Sequence, residues 1–291
     1  IAAELGFDLD AETESAAAHT SALLRTVASE RVREELSRIL VVEAVPAWLE
    51  RLRVAGIVAV LVPELAAGYG FEQNEYHPHD VWYHSVLCCG FIEPELHLRL
   101  AALLHDVAKP VTLSVDSDGR RHFFGHELAG ADMAAAILRR LRYDGDITKK
   151  VAHLVRMHMD LHDLPAEASD AAVRRMAARV GREYIGDLLR LRRADRLASG
   201  KAGPVSRGTL DVLARLAAID RADSALRVTD LKIDGLRVME VTGLAPGPDV
   251  GRILRDLLES VLDDPALNNP KDLERLALRL ARERSGRGRE G

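Results

Sequence analysis

The chain has 291 residues, of which 47% are apolar, 29% charged and 4% aromatic, and its formal net charge is -5 at pH 7. A chain of this length can bury a substantial core, and its long Ala/Leu/Arg/Glu stretches predict a mainly α-helical protein. The negative net charge argues against non-specific nucleic-acid binding by the whole surface, although it leaves room for local basic stripes that contact RNA.

The first 70 residues are predicted to form a helical neck. Val32, Leu36, Ile39 and Leu40 follow the spacing that is typical of one face of an amphipathic helix. Two stretches near them, AAELGFDLDAET and VASERVREEL, closely resemble the neck of class II CCA-adding enzymes and bacterial poly(A) polymerases. The resemblance implies that residues 1–70 are an RNA-binding segment.

Side chains that can bind a metal follow in DVWYHSV and HDVAKP. His84 is predicted to lie on a helix whose N-cap is Asp80, and the pair His105-Asp106 closes the next helix just before a proline. Imidazole and carboxylate together suit divalent metals such as Mn, Fe, Co, Ni or Zn, and adjacent His and Asp can bind one ion. Asp195, far downstream and flanked by apolar positions, can complete the set.

This order of ligands, H…HD…D, and the HDVAKP sequence resemble the HD superfamily of metal-dependent phosphohydrolases. The resemblance implies an HD-domain helical bundle over residues 71–203, and an Asp-Gly step after HDVAKP predicts a small β-hairpin within it. It implies a divalent metal (Mn, Ni, Co, Fe or Mg) bound by His84, His105, Asp106 and Asp195. Some members bind a second ion through extra histidines, and His126 and His158 stand where those would fall.

Two side chains of this set are candidate catalytic groups. Asp106 would help to hold an ion that lowers the pKa of a water molecule attacking phosphorus, and Lys109 would neutralise charge on the phosphoryl oxygens. Structural alternatives stay open. A single His at the end of an apolar helix is often a hydrogen-bonded structural residue, Lys109 can be a helix-end lysine favoured by the helix dipole, and degenerate HD sites occur.

The C-terminal part, residues 204–291, follows a linker signal, SGKAGP. Its LKIDGLRVMEVTGLAPGPDVGRIL sequence resembles the C-terminal body of the same CCA-adding enzymes, with Arg-Val where the family has Asp-Leu. A helical segment that binds tRNA is therefore expected. The Gly-rich entry into a helix can bind an RNA phosphate at Gly247, Gly251 and Arg252, but a plain helix N-terminus gives the same pattern. The tail ARERSGRGREG is predicted to be disordered.

Cysteine content and hydropathy bear on the compartment. Cys88 and Cys89 are adjacent, so their side chains diverge on a helix and buried free thiols are expected. The longest apolar run, VAGIVAVLVP, is about half as long as a membrane-spanning helix. Without a charged-then-apolar leader, the protein is expected to be cytoplasmic and to have no membrane partner. The chain starts at Ile1 without a methionine, which suggests a piece of something longer.

The resemblance covers only the neck, HD and C-terminal parts of a CCA-adding enzyme. The nucleotidyl-transferring head, with its Gly-rich loop, paired carboxylates and Glu-Asp-x-x-Arg template, has no counterpart in this sequence. The expected function is a metal-dependent phosphohydrolase of the 2′,3′-cyclic phosphodiesterase or phosphatase type. Its partners would be tRNA or RNA 3′ ends and nucleotides, in tRNA 3′-end (CCA) maintenance. The alternative is a non-catalytic tRNA-binding body, which would use Arg-rich helices and require no metal.

Overall fold

The computed structural model describes residues 1–73, 78–160, 168–200, 207–221 and 226–287. Within these ranges the chain is mainly α-helical with one small two-stranded antiparallel sheet, as the composition predicts. Contacts divide it into two compact units, residues 1–163 with 186–206 and residues 164–185 with 207–291. The three-part division at residues 70 and 203 stays a prediction, and residue 203 lies outside the described ranges.

Most of the first unit is built from short helices that pack pairwise. Its helices are α1 (Ala2–Leu5), α2 (Ala11–Thr20), α3 (Ser29–Leu40), α4 (Val45–Val54), α5 (Ile57–Leu61), α6 (Pro63–Ala66), α7 (Val81–Phe91), α8 (Leu96–Leu104), α9 (Lys109–Thr112), α10 (His126–Arg140), α11 (Gly145–Met157) and α13 (Ile185–Ala198), with a 3-10 helix at Ser21–Thr26. Helix α10 packs along α11, α7 packs against α4 and α8, and α8 packs against α11. The best-buried part of this unit is therefore the group α7, α8, α10 and α11.

The predicted hairpin lies between α9 and α10. Strands β1 (Ser114–Val115) and β2 (Arg121–His122) pair antiparallel, with Ser114 opposite His122. Asp116 closes the turn, since its Oδ1 accepts hydrogen bonds from the backbone N–H groups of Asp118 and Arg120 at 3.0 and 2.9 Å. Gly119 has φ 77, in the left-handed region that the Asp-Gly step predicts. The hairpin delivers the chain directly to the start of α10.

The second unit has its own apolar core. Its helices are α12 (Asp170–Val180), α14 (Arg207–Arg221), α15 (Gly235–Thr242), α16 (Pro248–Asp263) and α17 (Pro270–Arg287), with 3-10 helices at Arg182–Tyr184, Val228–Asp230 and Pro265–Leu267. Val238, Ile253, Leu257, Val261 and Leu273 are almost fully buried between α15, α16 and α17. Helix α17 continues to Arg287, well into the tail for which the sequence predicts disorder, and residues 288–291 lie outside the described ranges.

Among the described residues, no helix combines the length and the apolar character that crossing a membrane requires. Both cysteines are free and buried, as predicted, and burial raises the pKa of the Cys89 thiol to about 12. Buried thiols of this kind are protonated and chemically inert at neutral pH.

Glu50 joins α4 to α7, the helix that carries His84. Its carboxylate accepts hydrogen bonds from Arg53 Nη2 at 2.6 Å, Trp82 Nε1 at 3.0 Å and Tyr83 Oη at 3.2 Å. These donors, Arg53 first, lower the pKa of Glu50 to about 2. A carboxyl group whose pKa is depressed on folding stabilises the folded state above its unfolded pKa, and loses that contribution as the pH falls through its folded pKa.

We expect Glu50→Gln, which keeps the shape of the side chain and removes its charge, to lower the free energy of unfolding by about 1–2 kcal/mol at pH 7. The difference from wild type should persist above pH 4.5 and vanish as the pH falls towards about 2. Urea unfolding followed by circular dichroism between pH 3 and pH 7 measures it. A difference independent of pH would show that the charge of Glu50 contributes nothing.

Candidate metal centre

His84 is placed by the first turn of α7. Asp80 is the N-cap as predicted, and its side chain accepts a hydrogen bond from the backbone N–H of Tyr83 at 2.7 Å. Its other carboxylate oxygen accepts from the Gly70 N–H at 2.7 Å, which fixes the entry of the chain into the helix. His84 is then one turn inside α7 and fully buried. The cap thus determines which way the imidazole points.

His105 and Asp106 follow the end of α8. This helix buries nearly all of its side chains from Leu98 to Leu104, so its C-terminal end lies deep in the first unit. The chain leaves helix α8 at His105, and the short helix α9 starts at Lys109 with Pro110 in its first turn. His105 and Asp106 are 1% and 2% exposed, which makes them buried polar groups that require partners.

His126 and His158 come from the helix pair α10 and α11. His126 is the first residue of α10, following Gly125, whose φ of 76 allows the sharp turn out of the hairpin. His158 is the residue that ends α11. Because α10 and α11 pack along each other, their side chains meet, and the two Nε2 atoms are 3.1 Å apart.

The four predicted histidine ligands lie around the carboxylate of Asp106, two at each of its oxygens. Its Oδ2 atom is 3.6 Å from His84 Nε2 and 3.2 Å from His105 Nε2. Its Oδ1 atom is 3.4 Å from His126 Nε2 and 3.8 Å from His158 Nε2. We refer to these five side chains together with Asp195 as the His/Asp cluster.

Asp195 extends the cluster on the side of His84. It lies on α13, and its Oδ1 is 3.2 Å from His84 Nε2. Arg192, one turn earlier on the same helix, donates to Asp195 Oδ2 at 2.7 Å and so orients the carboxylate. The ligand atoms of His84, His105 and Asp195 lie within 4.8 Å of one another, and so do those of Asp106, His126 and His158. Each trio has the size of a site for one ion.

Backbone carbonyls set the tautomer of three of the four histidines. Nδ1 lies 2.8 Å from Ala102 O in His105, 2.7 Å from Phe123 O in His126 and 2.6 Å from Val155 O in His158. A carbonyl oxygen can only accept, so each Nδ1 carries a proton and donates it. In a neutral imidazole the lone pair is then on Nε2, which points into the cluster.

The donor set fits a divalent cation. The Nε2 atoms of His126 and His158 face each other at 3.1 Å, and Asp106 Oδ1 lies 3.4 Å from His126 Nε2. Burial first, and the charge of His105 second, lower the pKa of His158 to about 3, so that this imidazole is neutral at pH 7. Facing lone pairs and carboxylate oxygens repel one another unless a cation lies between them.

The side chains of the cluster shift one another's pKa values. Burial opposes ionisation of Asp106, but His105 and Lys109 outweigh it and hold the pKa of that carboxyl well below its usual range. Burial also opposes the charged form of His105, yet the Asp106 carboxylate leaves the pKa of His105 raised. For His84 burial is the largest influence and lowers its pKa. The Asp106 carboxylate thus favours the charged form of His105, whereas burial disfavours the charged form of His84.

Lys109 is buried beside the cluster rather than exposed at a helix end. Its Nζ donates to Asp106 Oδ2 at 2.7 Å and to Gln73 Oε1 at 2.6 Å, and the residue is 5% exposed. The ammonium also lies 5.7 Å from the centroid of the Phe123 ring. The structure thus excludes the interpretation of Lys109 as an exposed helix-end lysine. Its ammonium is instead held in contact with the central carboxylate.

A second charged network, which the sequence reasoning missed, is centred on a buried carboxylate of helix α13. Asp187 on α13 is 5% exposed, and its Oδ2 is 3.0 Å from His97 Nε2 on α8 and 2.7 Å from Lys150 Nζ on α11. Arg190 pairs with the other oxygen of the carboxylate. Burial raises the pKa of Asp187, but Lys150, His97 and Arg190 outweigh it and the pKa is lowered. We call these four residues the Asp187 clamp.

The clamp shares its helices with the cluster at a constant spacing. Asp187 precedes Asp195 by eight residues, His97 precedes His105 by eight, and Lys150 precedes His158 by eight. Eight residues are about two turns of α-helix, so the clamp joins α8, α11 and α13 about two turns away from the ligands that they carry. This spacing of eight residues before each ligand is the sequence signal that could have revealed the clamp.

The predicted RNA contacts lie in the second unit. Gly247 is the N-cap of α16 and has extended backbone, with φ 168. Arg252 is not directed to a vacant anion site, because its Nη2 pairs with Asp249 Oδ1 at 2.5 Å within the first turn. Gly251 lies in the same turn, where an added Cβ would meet only the tip of Arg255 at 3.9 Å. Phosphate binding at these residues stays a prediction.

Family comparisons cover almost the whole chain. Residues 6–68 match the family described as "Probable RNA and SrmB-binding site of polymerase A". Residues 51–200 match the HD domain, and residues 126–277 match domain 2 of the tRNA nucleotidyltransferases. The second and third of these matches each span about half of the chain.

Curated relatives agree with the family matches. The chain is 38% identical over 271 residues to the A-adding tRNA nucleotidyltransferase of Deinococcus radiodurans, which covers 88% of this chain and 61% of the relative. It is 37% identical over 271 residues to the CC-adding tRNA nucleotidyltransferase of Thermus thermophilus, covering 89% of this chain and 60% of the relative. The multifunctional CCA protein of Xanthomonas campestris is 30% identical over 271 residues, with 87% and 60% covered.

The chain thus spans about three fifths of the length of these curated relatives. The ligand order that the HD resemblance required is present in the structure, and the neck and C-terminal motifs fall inside the matched regions. The chain therefore belongs to the HD-domain-containing family of CCA-adding tRNA nucleotidyltransferases.

Proposed function

We propose that the His/Asp cluster is the centre of a metal-dependent phosphohydrolase that acts on 2′,3′-cyclic phosphates or phosphomonoesters of RNA ends and nucleotides. The observation that carries the proposal is the orientation of His105, His126 and His158, whose Nδ1 atoms donate to backbone carbonyls and whose Nε2 atoms face one carboxylate. A divalent ion bound there would act as a Lewis acid and lower the pKa of water.

The protein's own groups have separate roles in this proposal. The carbonyls that accept from the three histidines fix the ring orientations, and Arg192 fixes Asp195 in the same way. Lys109 holds its ammonium against Asp106, and it is close enough to the cluster to attract a phosphate ester. Burial of the whole set excludes bulk water, which strengthens every electrostatic interaction within it.

The relatives give the proposal its biological setting. Proteins named A-adding and CC-adding tRNA nucleotidyltransferases act at tRNA 3′ ends, and this chain shares their HD region. A hydrolase that removes a phosphate or opens a cyclic phosphate from a damaged tRNA end would prepare that end for nucleotide addition. We therefore place the chain in tRNA 3′-end maintenance.

A second candidate function is that of a non-catalytic tRNA-binding body. It is favoured by the match of residues 6–68 to a family described as an RNA-binding site, and by the tRNA-directed names of the relatives. Such a module requires no metal. Binding of a divalent ion at the His/Asp cluster, and its effect on turnover, therefore separates the two candidates.

The deciding experiment measures hydrolysis of 2′,3′-cyclic AMP by metal-stripped protein supplied separately with Mn, Ni, Co and Mg. The test variant is His105→Ala/Asp106→Ala. The control is His19→Ala/Asp132→Ala, which changes the same two residue types at exposed positions. We expect metal-restored turnover in the wild type and the control, and none in the test variant. If wild type and test variant are equally inactive with every metal, the tRNA-binding body is the better description.

A further inference from the structure

The segment between the hairpin and α10 has one aromatic side chain inside the protein and one outside. Phe123 is 8% exposed and packs 6.2 Å from Phe71, centroid to centroid, beside the ammonium of Lys109. Phe124, the next residue, is 79% exposed. Phe123 thus packs next to the His/Asp cluster. The Phe124 ring does not belong to the core.

Phe124 is nevertheless held in a defined orientation. Its ring stacks on the imidazole of His122, with the centroids 5.1 Å apart and the planes inclined by 7°. His122 is itself fixed, since its Nε2 lies 2.8 Å from Asp116 Oδ2 in the hairpin turn. The pair is a flat aromatic surface that is supported on one side by the hairpin and still largely exposed.

This surface is adjacent in sequence to a ligand of the cluster. His126 follows Phe124 by two residues, so their Cα atoms are at most about 7 Å apart. A phosphate ester drawn to the cluster by Lys109 would therefore bring the rest of its molecule close to the exposed ring. In a nucleotide, the part that leads away from the phosphate is a ribose that carries a flat aromatic base.

We propose that Phe124, backed by His122, is a stacking platform for the nucleobase of the substrate. This inference rests on the proposed phosphohydrolase function and narrows its substrate class to nucleoside phosphates and RNA 3′-terminal nucleotides. Every base has a π-face, so such a platform binds all four bases without reading the sequence. The exposed ring is already stacked on His122, so little conformational entropy is lost when a base stacks on it.

The kinetic test compares Phe124→Ala with wild type on two substrates, 2′,3′-cyclic AMP and ribose 2′,3′-cyclic phosphate, which lacks the base. We expect KM for cyclic AMP to rise about 10-fold or more in Phe124→Ala, and to stay near the wild-type value in Phe124→Trp. For the base-free substrate KM should be unchanged. Phe7→Ala, which removes an exposed phenylalanine (62% exposed) from the neck, is the matched control and should not alter either KM.

An equal rise in KM for both substrates in Phe124→Ala, or no rise in KM for 2′,3′-cyclic AMP, would contradict the proposed stacking platform. A binding test keeps this result separate from the fate of the phosphohydrolase. Phe124→Trp places an exposed indole at the platform, and AMP titrated in the presence of EDTA should quench its fluorescence, while Phe7→Trp should not respond. Quenching without any hydrolysis would reject the enzyme and retain the base site. Hydrolysis without quenching would reject the base site and retain the enzyme.

Discussion

Asp106→Asn is expected to abolish metal binding at both halves of the His/Asp cluster. Its carboxylate is the only group in the described chain that faces all four histidines, with one oxygen towards His84 and His105 and the other towards His126 and His158. Loss of groups that merely support a ligand lowers metal affinity by about 10–100-fold. Loss of the shared ligand should cost at least about 100-fold, and turnover should fall with it.

Isothermal titration with Mn or Ni, together with metal analysis of the purified protein, measures this effect. Asp195→Asn is the matched variant, because Asp195 belongs to the trio with His84 and His105 and Asp106 belongs to the other trio. It should leave the trio of Asp106, His126 and His158 able to bind an ion. If Asp106→Asn and Asp195→Asn lower metal affinity equally, Asp106 does not have the central role that its position indicates.

Asp106→Asn should also destabilise the protein in the absence of metal, and this loss of stability can be measured independently of metal affinity. Lys109 is 5% exposed and would lose the carboxylate 2.7 Å from its ammonium, keeping only the amide oxygen of Gln73. Removing one partner of a buried ion pair costs about 3–5 kcal/mol. The double variant Asp106→Asn/Lys109→Met, which has no buried unpaired ammonium, should recover part of that loss in urea unfolding.

Four of the six predicted ligands, His84, His105, Asp106 and His126, stand next to a local signal in the sequence. Asp80 caps the helix of His84, Pro110 follows the His105-Asp106 pair, and Gly125 precedes His126. Such signals act over a few residues, so they can be read from the chain without knowing its tertiary structure. The predominance of helix and the hairpin at the Asp-Gly step were predicted for the same reason.

Features that depend on contacts between distant helices could not be predicted. The central position of Asp106 follows from the packing of α10 on α11, which brings His126 and His158 to its second oxygen. The Asp187 clamp joins residues 90 positions apart, and the eight-residue spacing before each ligand becomes informative only once the three helices are known to pack together. Lys109 was ambiguous for the same reason, since only the fold shows that its ammonium is buried.

The Asp187 clamp should control metal affinity from a distance. Asp187 contacts no ligand, yet it ties the helices that carry His105, His158 and Asp195 to one another. Ligand atoms must be held within a few tenths of an ångström for tight binding. Each of these three helices carries at least one clamp residue and leads to one ligand, so the clamp fixes the ligands through the helices. A shift of α13 against α8 or α11 would therefore widen the cluster without changing any ligand.

Asp187→Asn is expected to lower the affinity for Mn or Ni about 10-fold while leaving all six ligands intact. Its effect on the free energy of unfolding should be about 1–3 kcal/mol, because Lys150 and Arg190 are partly exposed and can turn to solvent. Asp187→Glu, which keeps the charge, should recover much of the metal affinity. The control is Glu64→Gln, which breaks another ion pair of the first unit, between Glu64 and Arg140 at 2.7 Å, and should destabilise the protein without changing metal affinity. Titration calorimetry and urea unfolding on the same preparations compare the two quantities, and equal metal affinity in Asp187→Asn and wild type would reduce the clamp to a purely structural ion-pair network.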